Sequence, residues 1–572
     1  REWFMKFESI SIKNFRNFES IEDLKLDNHN IFFGMNDVGK SNFLAALRFV
    51  FDYNFRKNGF AITDFYNLDY EDRLIDIIVT IDFSQNDNND EKLRSKARGV
   101  IGSDNSILYI KVESSFNIDL KMYQCNLYWG CDINDLMLIN PNNSFSDLDK
   151  LFNVIYIGSS IDIEAVFRKN FSSLVKRNKD DFSDIQNTLN ILKTQYRELV
   201  SVKSTEESLL DEYKKFSKDN YKLVLAPKDI DVDPYKNITP MLNKGETNKN
   251  FPLSGDGQRK ITAYALTRLI SVTNGKIDLF LIEEPENHLH RTSLLKMSKS
   301  LFNKSDYPFI FITTHSSELL SEMDEVNLIR IFGNPVNVKS CMYKVPDDYA
   351  RVKNILNLNL AQALFYNKVL LVEGPSELIL FEHLLGLLNS DFKCEGYIIL
   401  PVNGTGFENY MNILKPIGIE VIVKTDNDIR KKKSAANYEC LGLNRIEKLV
   451  NICNNYSEEQ LKLQINFNKS ITKFEPKDIK AELYENNLEE LQKAELRDNI
   501  YLSKIDLEND LADIIEDKMK TYLDTENPVD YLQKNKMKNM AELVKYITIE
   551  DAELIFSHAN FKCLKGFYNE EN

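Results

Sequence analysis

The segment Gly34-Met35-Asn36-Asp37-Val38-Gly39-Lys40-Ser41 has the G-x-x-x-x-G-K-[ST] spacing of a loop that wraps phosphates. Gly34 and Gly39 let backbone N–H groups turn toward an anion, and a helix beginning near Lys40 adds its N-terminal dipole. Lys40 is spaced to reach the β- and γ-phosphates of a nucleotide, Ser41 to ligate Mg²⁺, and Asn36 belongs to the same binding loop. ATP is therefore an expected cofactor. The apolar run Leu279–Ile282 ends in two carboxylates, Glu283 suited to a Mg²⁺ shell and Glu284 to polarising the attacking water. In Leu253-Ser254-Gly255-Asp256-Gly257-Gln258, the small residues Ser254, Gly255 and Gly257 precede a helix and form another anion site. Thr313-Thr314-His315-Ser316 ends a further apolar strand and sets His315 beside the expected γ-phosphate.

A separate set is made of acids alone. Glu373 follows the buried run Val369–Val372, where open α/β sheets place their ligands, and Glu377 lies within the first helical turn beyond it. Val421–Val423 leads to Asp426-Asn427-Asp428; alternate residues of an extended segment point the same way, so Asp426 and Asp428 can share a cation. Ile505-Asp506-Leu507-Glu508-Asn509-Asp510 repeats that i, i+2 spacing. Carboxylates without histidine or cysteine suit Mg²⁺ or Mn²⁺, and crowded carboxylates repel unless a cation neutralises them. Lys424 and the run Arg430-Lys431-Lys432-Lys433 bracket and follow this D-x-D, where they suit contact with a DNA backbone.

These residues need particular elements beneath them. Through Phe7–Phe18, Ile10 and Ile12 alternate with polar neighbours, which predicts a strand turning at Asn14–Asn17. Asn30–Phe33, the phosphate loop, and a helix with Phe43, Leu44, Leu47 and Val50 on one side make a strand–loop–helix. Arg73–Phe83, Ile107–Val112, Leu127–Cys131 and Val154–Ile157 read as further strands. From Asp162 to Tyr221 there is neither glycine nor proline, and Ile185, Leu189, Leu192, Tyr196 and Leu199 carry coiled-coil spacing. That predicts an inserted helical arm for self-association, with a helix packed on its own domain as the alternative. The pattern weakens over Arg330–Arg351, and strands alternating with helices resume near Lys368. The expected organisation is a phosphate-binding domain in two parts, 1–158 and 246–347, split by a helical insertion, 159–245, and followed by a parallel-sheet domain with C-terminal helices, 348–572.

The chain of 572 residues is 43% hydrophobic and 28% charged with a net charge of −15, enough for several domains with real cores. Such apolarity excludes a mainly disordered chain, 20 Gly and 14 Pro exclude collagen-like or low-complexity sequence, and the acidity excludes a passive nucleic-acid coat. Seven scattered cysteines without a C-x-x-C pair argue against a disulfide framework or zinc site and fit a reducing compartment. No apolar run approaches a membrane span and no basic-then-apolar leader opens the chain, so a cytoplasmic location without a membrane partner is expected.

The phosphate loop, the Leu253–Gln258 signature, the acidic strand end and His315, in that order, resemble an ATP-binding cassette of the RecF/SMC type. Ile12–Phe18 resembles that group's first hairpin. The resemblance implies that Ser254 caps the nucleotide of another subunit and that Glu284 is the catalytic base. One position departs from it: the usual aspartate is Glu283 here, whose longer side chain shifts the Mg²⁺ shell. The strand–Glu373-Gly374-Pro375-Ser376-Glu377 start and the later D-x-D resemble a Toprim domain.

A cassette with a helical insertion followed by Toprim is similar to the OLD (overcoming lysogenization defect) nucleases, most of all to the A subunits of Gabija anti-phage systems. The implied fold is an α/β, ABC-type ATPase domain with a helical dimerisation insertion and a C-terminal Toprim domain. The implied metal ligands are Glu373, Asp426, Asp428, Asp506 and Glu508, with Glu377 nearby, holding two Mg²⁺ or Mn²⁺ ions. Lys536 is implied to stabilise charge on the cleaved phosphate, with Lys534 as the alternative. Implied partners are double-stranded DNA, further copies of the chain in a dimer or tetramer, and a UvrD/Rep-like helicase B subunit. The implied activity is DNA nicking or cleavage controlled by nucleotide binding. The competing reading is an SMC/RecF-like clamp or repair factor with a non-catalytic Toprim domain; intact acids in all three Toprim segments argue against it. A topoisomerase or primase lacks zinc-ribbon cysteines and a domain for a nucleophilic tyrosine.

Overall fold

In the computed structural model, residues 5–565 are described except 69–73, 85–105, 120, 161–187, 189–190, 192–194, 196–240, 244–249, 253–254, 272–275, 302–306, 322–325, 334–339, 350–358, 390–391, 393–394, 404–405, 432–437 and 457–475. The helical arm, Ser254, Lys432 and Lys433 thus lie almost wholly outside the described residues.

Alternating burial builds the first layer. Lys6–Phe15 and Phe18–Lys25 form the expected hairpin and extend into a six-stranded antiparallel sheet. Its order is Phe18–Lys25, Lys6–Phe15, Asp76–Asp82, Ile107–Asn117, Met122–Asp132, Asp135–Leu138. The other layer reads Ser340–Lys344, Asn327–Gly333, His29–Phe33, Phe309–Thr314, Ile277–Glu283, Phe152–Ile157. Here His29–Phe33 pairs in parallel with Phe309–Thr314 and with Asn327–Gly333, and Phe309–Thr314 pairs in parallel with Ile277–Glu283. Every residue of His29–Phe33 and Phe309–Thr314 is buried, as parallel strands covered on both faces demand.

The helix Lys40–Phe51 touches strands of both layers. Beyond the expected Phe43, Leu44, Leu47 and Val50 it therefore buries Ala45, Ala46, Phe49 and Phe51 as well. Phenylalanines fill the interlayer: the Phe7 ring sits edge-on to Phe309 and Phe311 at 5.5 and 5.3 Å. Two strands, Asn327–Gly333 and Ser340–Lys344, lie where the sequence pattern weakens. The alternation is broken there by Arg330, which is 2% exposed because it has partners in the next domain.

That domain holds a four-stranded sheet in the order Tyr397–Pro401, Lys368–Val372, Glu420–Thr425, Ile500–Leu502, paired in parallel throughout. The chain leaves Lys368–Val372 toward one edge through the helix Pro375–Leu388 and returns past it through Phe407–Leu414 to Glu420–Thr425. Right-handed crossovers in opposite directions put these helices on opposite faces and open a crevice between the two central strands at their carboxyl ends. Pro375–Leu388 packs with Lys536–Leu543 and Ile549–Ser557; Phe407–Leu414 packs with Leu441–Tyr456. Each face therefore delivers its own helix to the crevice.

The chain divides into two compact units, Arg1–Val154 with Leu279–Glu286 and Leu294–Asn572, and Ile155–Asp278 with Asn287–Ser293. The second holds the helix Asp256–Ser271 and the hairpin Met241–Asn243 with Asn250–Pro252. Within it, Gly257 abuts the carbonyl of His288, where an added Cβ would stand 2.8 Å away. Among the described residues no helix is long and apolar enough to cross a membrane, and six cysteines are free thiols.

Candidate nucleotide and metal sites

The phosphate loop leaves the central strand of its sheet between the carboxyl ends of its two neighbours. Gly39 has φ of 100°, and a Cβ there would lie 1.8 Å from Asn17 Nδ2. Only glycine fits. Asn17 donates from that nitrogen to the Val38 carbonyl at 2.9 Å and to Ser340 Oγ at 2.6 Å, while its Oδ1 accepts from Asn42. The hairpin tip thus braces the loop from beneath, a role sequence inspection did not assign to Asn17. Lys40 is buried and donates to the carbonyls of Gly34 and Met35 at 3.1 and 2.7 Å. Burial pushes its ammonium below the usual lysine value, against the pull of Glu284, Glu286 and Asp37.

Parallel pairing sets Glu283 opposite Thr313 and Thr314 opposite Phe33, so the three motif ends share one rim of the sheet. Glu284 leaves its strand at φ 43°, with its N–H bonded to the Thr313 carbonyl at 2.8 Å. His315 Nδ1 lies 3.7 Å from Glu284 Oε1 and 3.2 Å from Glu286 Oε1. Glu286, two residues past the carboxylate pair, had no assigned role. Its Oε1 accepts from Thr314 Oγ1 and from the His315 N–H at 2.7 and 2.8 Å, while its buried Oε2 has no partner among the described residues. Lys40, Glu284 and His315 are brought together; Gly255 and Gly257 belong to the second unit, and Ser254 lies outside the described residues.

In the second site Glu373 and Asp426 each follow the last residue of a central strand. Glu373 Oε1 accepts from Thr425 Oγ1 at 2.5 Å, from the Asp426 N–H at 2.8 Å, and from Arg445 Nη1. Burial pushes the Asp426 carboxyl well above the usual range, with Glu373 and Glu377 adding and Lys536 opposing. Burial also raises Glu377, to which Glu373 and Glu508 add. Glu508 is fully buried; its carboxyl is raised by burial, and its Oε2 has no hydrogen-bond partner among the described residues. Lys536 Nζ stands 3.4 Å from Glu508 Oε1. Burial opposes its charge, yet Glu508, Asp426, Glu377 and Asp506 hold the ammonium above its usual value. Both Lys534 and Lys536 are exposed, but among the described residues it is Lys536 whose ammonium reaches the acids.

Three expectations need correction. Asp506 and Glu508 do not converge by strand alternation, because the helix Leu507–Leu523 begins between them. Asp506 caps that helix, accepting from the Asn509 N–H at 3.0 Å and from Gln533 Nε2 at 3.0 Å. Asp510 turns away to pair with Lys424 at 2.9 Å. Lys424 in turn is 3% exposed and cannot meet a DNA backbone; a buried ion pair claims it. Asp428 does not simply repeat Asp426: it is half-exposed, 3.8 Å from Arg445 Nη2 and 3.7 Å from Lys480 Nζ. Arg445 and Lys480 were not singled out in sequence, since no local pattern marks a base whose partners lie tens of residues away.

Among the described residues no three acidic, histidine or cysteine side chains already surround one point at ligand distance. The residues nevertheless fit divalent cations: raised carboxyls crowd together, and a buried carboxylate oxygen of Glu508 has no donor among the described residues. A cavity of about 480 Å³ opens beside Asp506 and Asn509, flanked by Lys477, Lys480 and Gln533.

The family described as AAA ATPase domain matches residues 5–320, and the Overcoming lysogenization defect protein-like TOPRIM domain matches residues 364–428. Endonuclease GajA of Bacillus cereus (strain VD045) is 37% identical over 98% of this chain and 99% of its own. Among solved structures, an SMC head bound to the C-winged helix domain of ScpA covers 60% of this chain and 99% of its own, at 14% identity and TM-score 0.36. The C-terminal region of the Burkholderia pseudomallei OLD protein covers 36% of this chain and 100% of its own, at 15% identity and TM-score 0.25.

Proposed function

This chain belongs to the OLD family of ATPases joined to a Toprim domain, alongside endonuclease GajA, and we propose from that premise that it is a metal-dependent DNA endonuclease controlled by nucleotide binding and serving anti-phage defence. The observation that carries the reading is the crevice itself. Glu373, Glu377, Asp426 and Glu508 crowd the carboxyl ends of the central strands, with Lys536 among them.

Glu373, Asp426, Asp428, Asp506 and Glu508 would hold two Mg²⁺ or Mn²⁺ ions, with Glu377 close behind. Bound there, such ions would supply an activated water and stabilise the leaving 3′-oxygen of a phosphodiester. The chain's own work is to hold these carboxylates and to present the Lys536 ammonium to charge building on the phosphate. No protein nucleophile is required. The exposed Lys431, Lys534 and Lys538 suit contact with double-stranded DNA.

In the cassette, Gly34, Asn36, Gly39, Lys40 and Ser41 cradle ATP, Glu283 joins the Mg²⁺ shell, Glu284 polarises water, and His315 stands by the γ-phosphate. Ser254, Gly255 and Gly257 complete the site of another copy, which makes the working form a dimer or tetramer. The arm within 159–245 supplies the self-association, between cassette parts 1–158 and 246–347. A helicase subunit of the same defence system is the expected partner, and the cytoplasm the expected location.

The test is cleavage of supercoiled and linear DNA with Mg²⁺ or Mn²⁺ by wild type, Glu373→Ala and Lys40→Ala. Glu373→Ala abolishes cutting, and Lys40→Ala removes the response to nucleotide. Metal-dependent cutting that survives Glu373→Ala defeats the Toprim assignment and restores the clamp reading.

A further inference from the structure

Arg445 lies on the helix Leu441–Tyr456, which reaches the crevice from the face opposite Lys536. Its guanidinium is largely buried beside the Phe407 ring. Nη1 contacts both Glu373 Oε1 and Thr425 Oγ1, and Nη2 faces Asp428 Oδ2 at 3.8 Å. One planar fork thus spans an acid from each central strand end. Three donors converge on Glu373 Oε1, while among the described residues Oε2 receives none.

We propose that Arg445 is a positioning residue for the metal centre: it ties Glu373 to Asp428 across the crevice and saturates Oε1, so that Oε2 is the oxygen offered to a divalent cation. This rests on the metal-dependent nuclease reading above. The geometry needs arginine in particular. A lysine ammonium is a point charge, whereas the guanidinium carries separate donors in a fixed plane and keeps its charge at any working pH. The tie is anchored from behind, because Gly442 in the same helix abuts the backbone of Asp426–Asp428 and its N–H bonds to the Asp428 carbonyl at 3.0 Å. Partners that orient metal-ligating carboxylates are worth roughly 10–100-fold in metal affinity.

The experiment is calorimetric titration of Mn²⁺ into the full-length, DNA-free protein, comparing wild type, Arg445→Met, Arg445→Lys and Glu373→Gln, with DNA cleavage measured across Mn²⁺ concentrations. Arg445→Met weakens Mn²⁺ binding about tenfold or more. Its cleavage rate recovers toward wild type at saturating Mn²⁺, so the loss lies in the metal concentration required. Arg445→Lys, which keeps the charge and the fold, shows a similar loss because it cannot span both acids. Wild-type affinity in Arg445→Lys overturns the bridging role, and tighter binding in Arg445→Met makes the guanidinium a competitor instead. Should Arg445→Met fail to fold, Arg445→Lys alone decides. Absence of Mn²⁺ binding in wild type, or unchanged binding in Glu373→Gln, defeats the underlying metal reading rather than the role of Arg445.

Discussion

Arg330 stands directly opposite Phe33 in the parallel pairing that carries the phosphate loop, and its guanidinium holds the neighbouring domain. Nε donates to the Leu364 carbonyl at 3.1 Å, Nη1 to Ile417 at 3.1 Å, and Nη2 to Tyr366 at 2.9 Å and to Asn367 Oδ1 at 3.1 Å. Those acceptors precede the two central strands that end in Glu373 and Asp426. Burial pushes Arg330 down to about 10, still charged at neutral pH. Next to it, the Ile331 carbonyl would lie 2.2 Å from a Cβ on Gly34, and the Phe33 ring meets Phe365 at 5.4 Å. The two sites are thus joined through one buried side chain. Arg330→Met strands several buried acceptors and lowers stability by about 2–4 kcal/mol in denaturant unfolding. In the folded fraction nucleotide no longer changes the cleavage rate; a response of wild-type size argues against this route.

Gly39→Ala tests the brace beneath the loop. The substitution meets both a left-handed φ and the Asn17 side chain, so loop and hairpin tip cannot keep their present contact. Binding of a fluorescent ATP analogue falls at least about tenfold, a shift of roughly 1.4 kcal/mol or more. Mn²⁺ binding at the Toprim site stays intact.

What was legible in sequence was local. Glu284 and His315 follow strand ends that apolar runs announce, Lys40 opens the helix after a glycine loop, and Glu373 and Glu377 follow from a strand–turn–helix of a few residues. Tertiary roles were not legible. Arg330 interrupts an apolar run and reads as a broken strand, when its charge is absorbed by carbonyls from another domain. Lys424 reads as part of a basic run until Asp510 buries it. The Asp506–Asp510 acids follow an alternating pattern in sequence, but Asp506 is a helix cap, and the period changes at the next residue.

Gly442→Ala separates the two sites in the opposite direction. An added Cβ would lie 2.6 Å from the Asp426 carbonyl and 2.8 Å from Asn427 Cα, both backbone and unable to swing aside. The D-x-D segment must shift, so Mn²⁺ affinity and cleavage both fall about tenfold or more, as for lost ligand support. ATP-analogue binding is unchanged, which a globally unfolded variant could not show.

Lys536→Ala and Lys534→Ala divide the lysine assignment. Both side chains are exposed, but Lys536 lies 3.4 Å from Glu508 and feels four carboxylates. Removing a donor aimed at developing charge costs about 10²–10³ in rate. Lys536→Ala therefore loses that much cleavage at saturating Mn²⁺, while Lys534→Ala stays near wild type. Equal losses in both would assign them to DNA contact instead.

Glu508→Gln gives a pH signature in the metal-free protein. Burial raises the folded-state carboxyl above its ordinary value of 4.5, so at pH below that value both folded and unfolded chains carry the proton and Glu508 imposes no penalty. As pH rises through this value the unfolded chain ionises first, and folding must either keep the proton or bury a charge. Stability is lost over that window, and the loss levels off once pH passes the raised folded value. Glutamine carries no titrating group and escapes the loss. In EDTA, Glu508→Gln therefore melts above wild type at pH 8, and the difference shrinks toward zero near pH 4. Adding Mn²⁺ reverses the order, since the cations stabilise most the chain that retains every carboxylate. Melting curves that coincide at pH 8 in EDTA would mean that Lys536 already neutralises Glu508 in full.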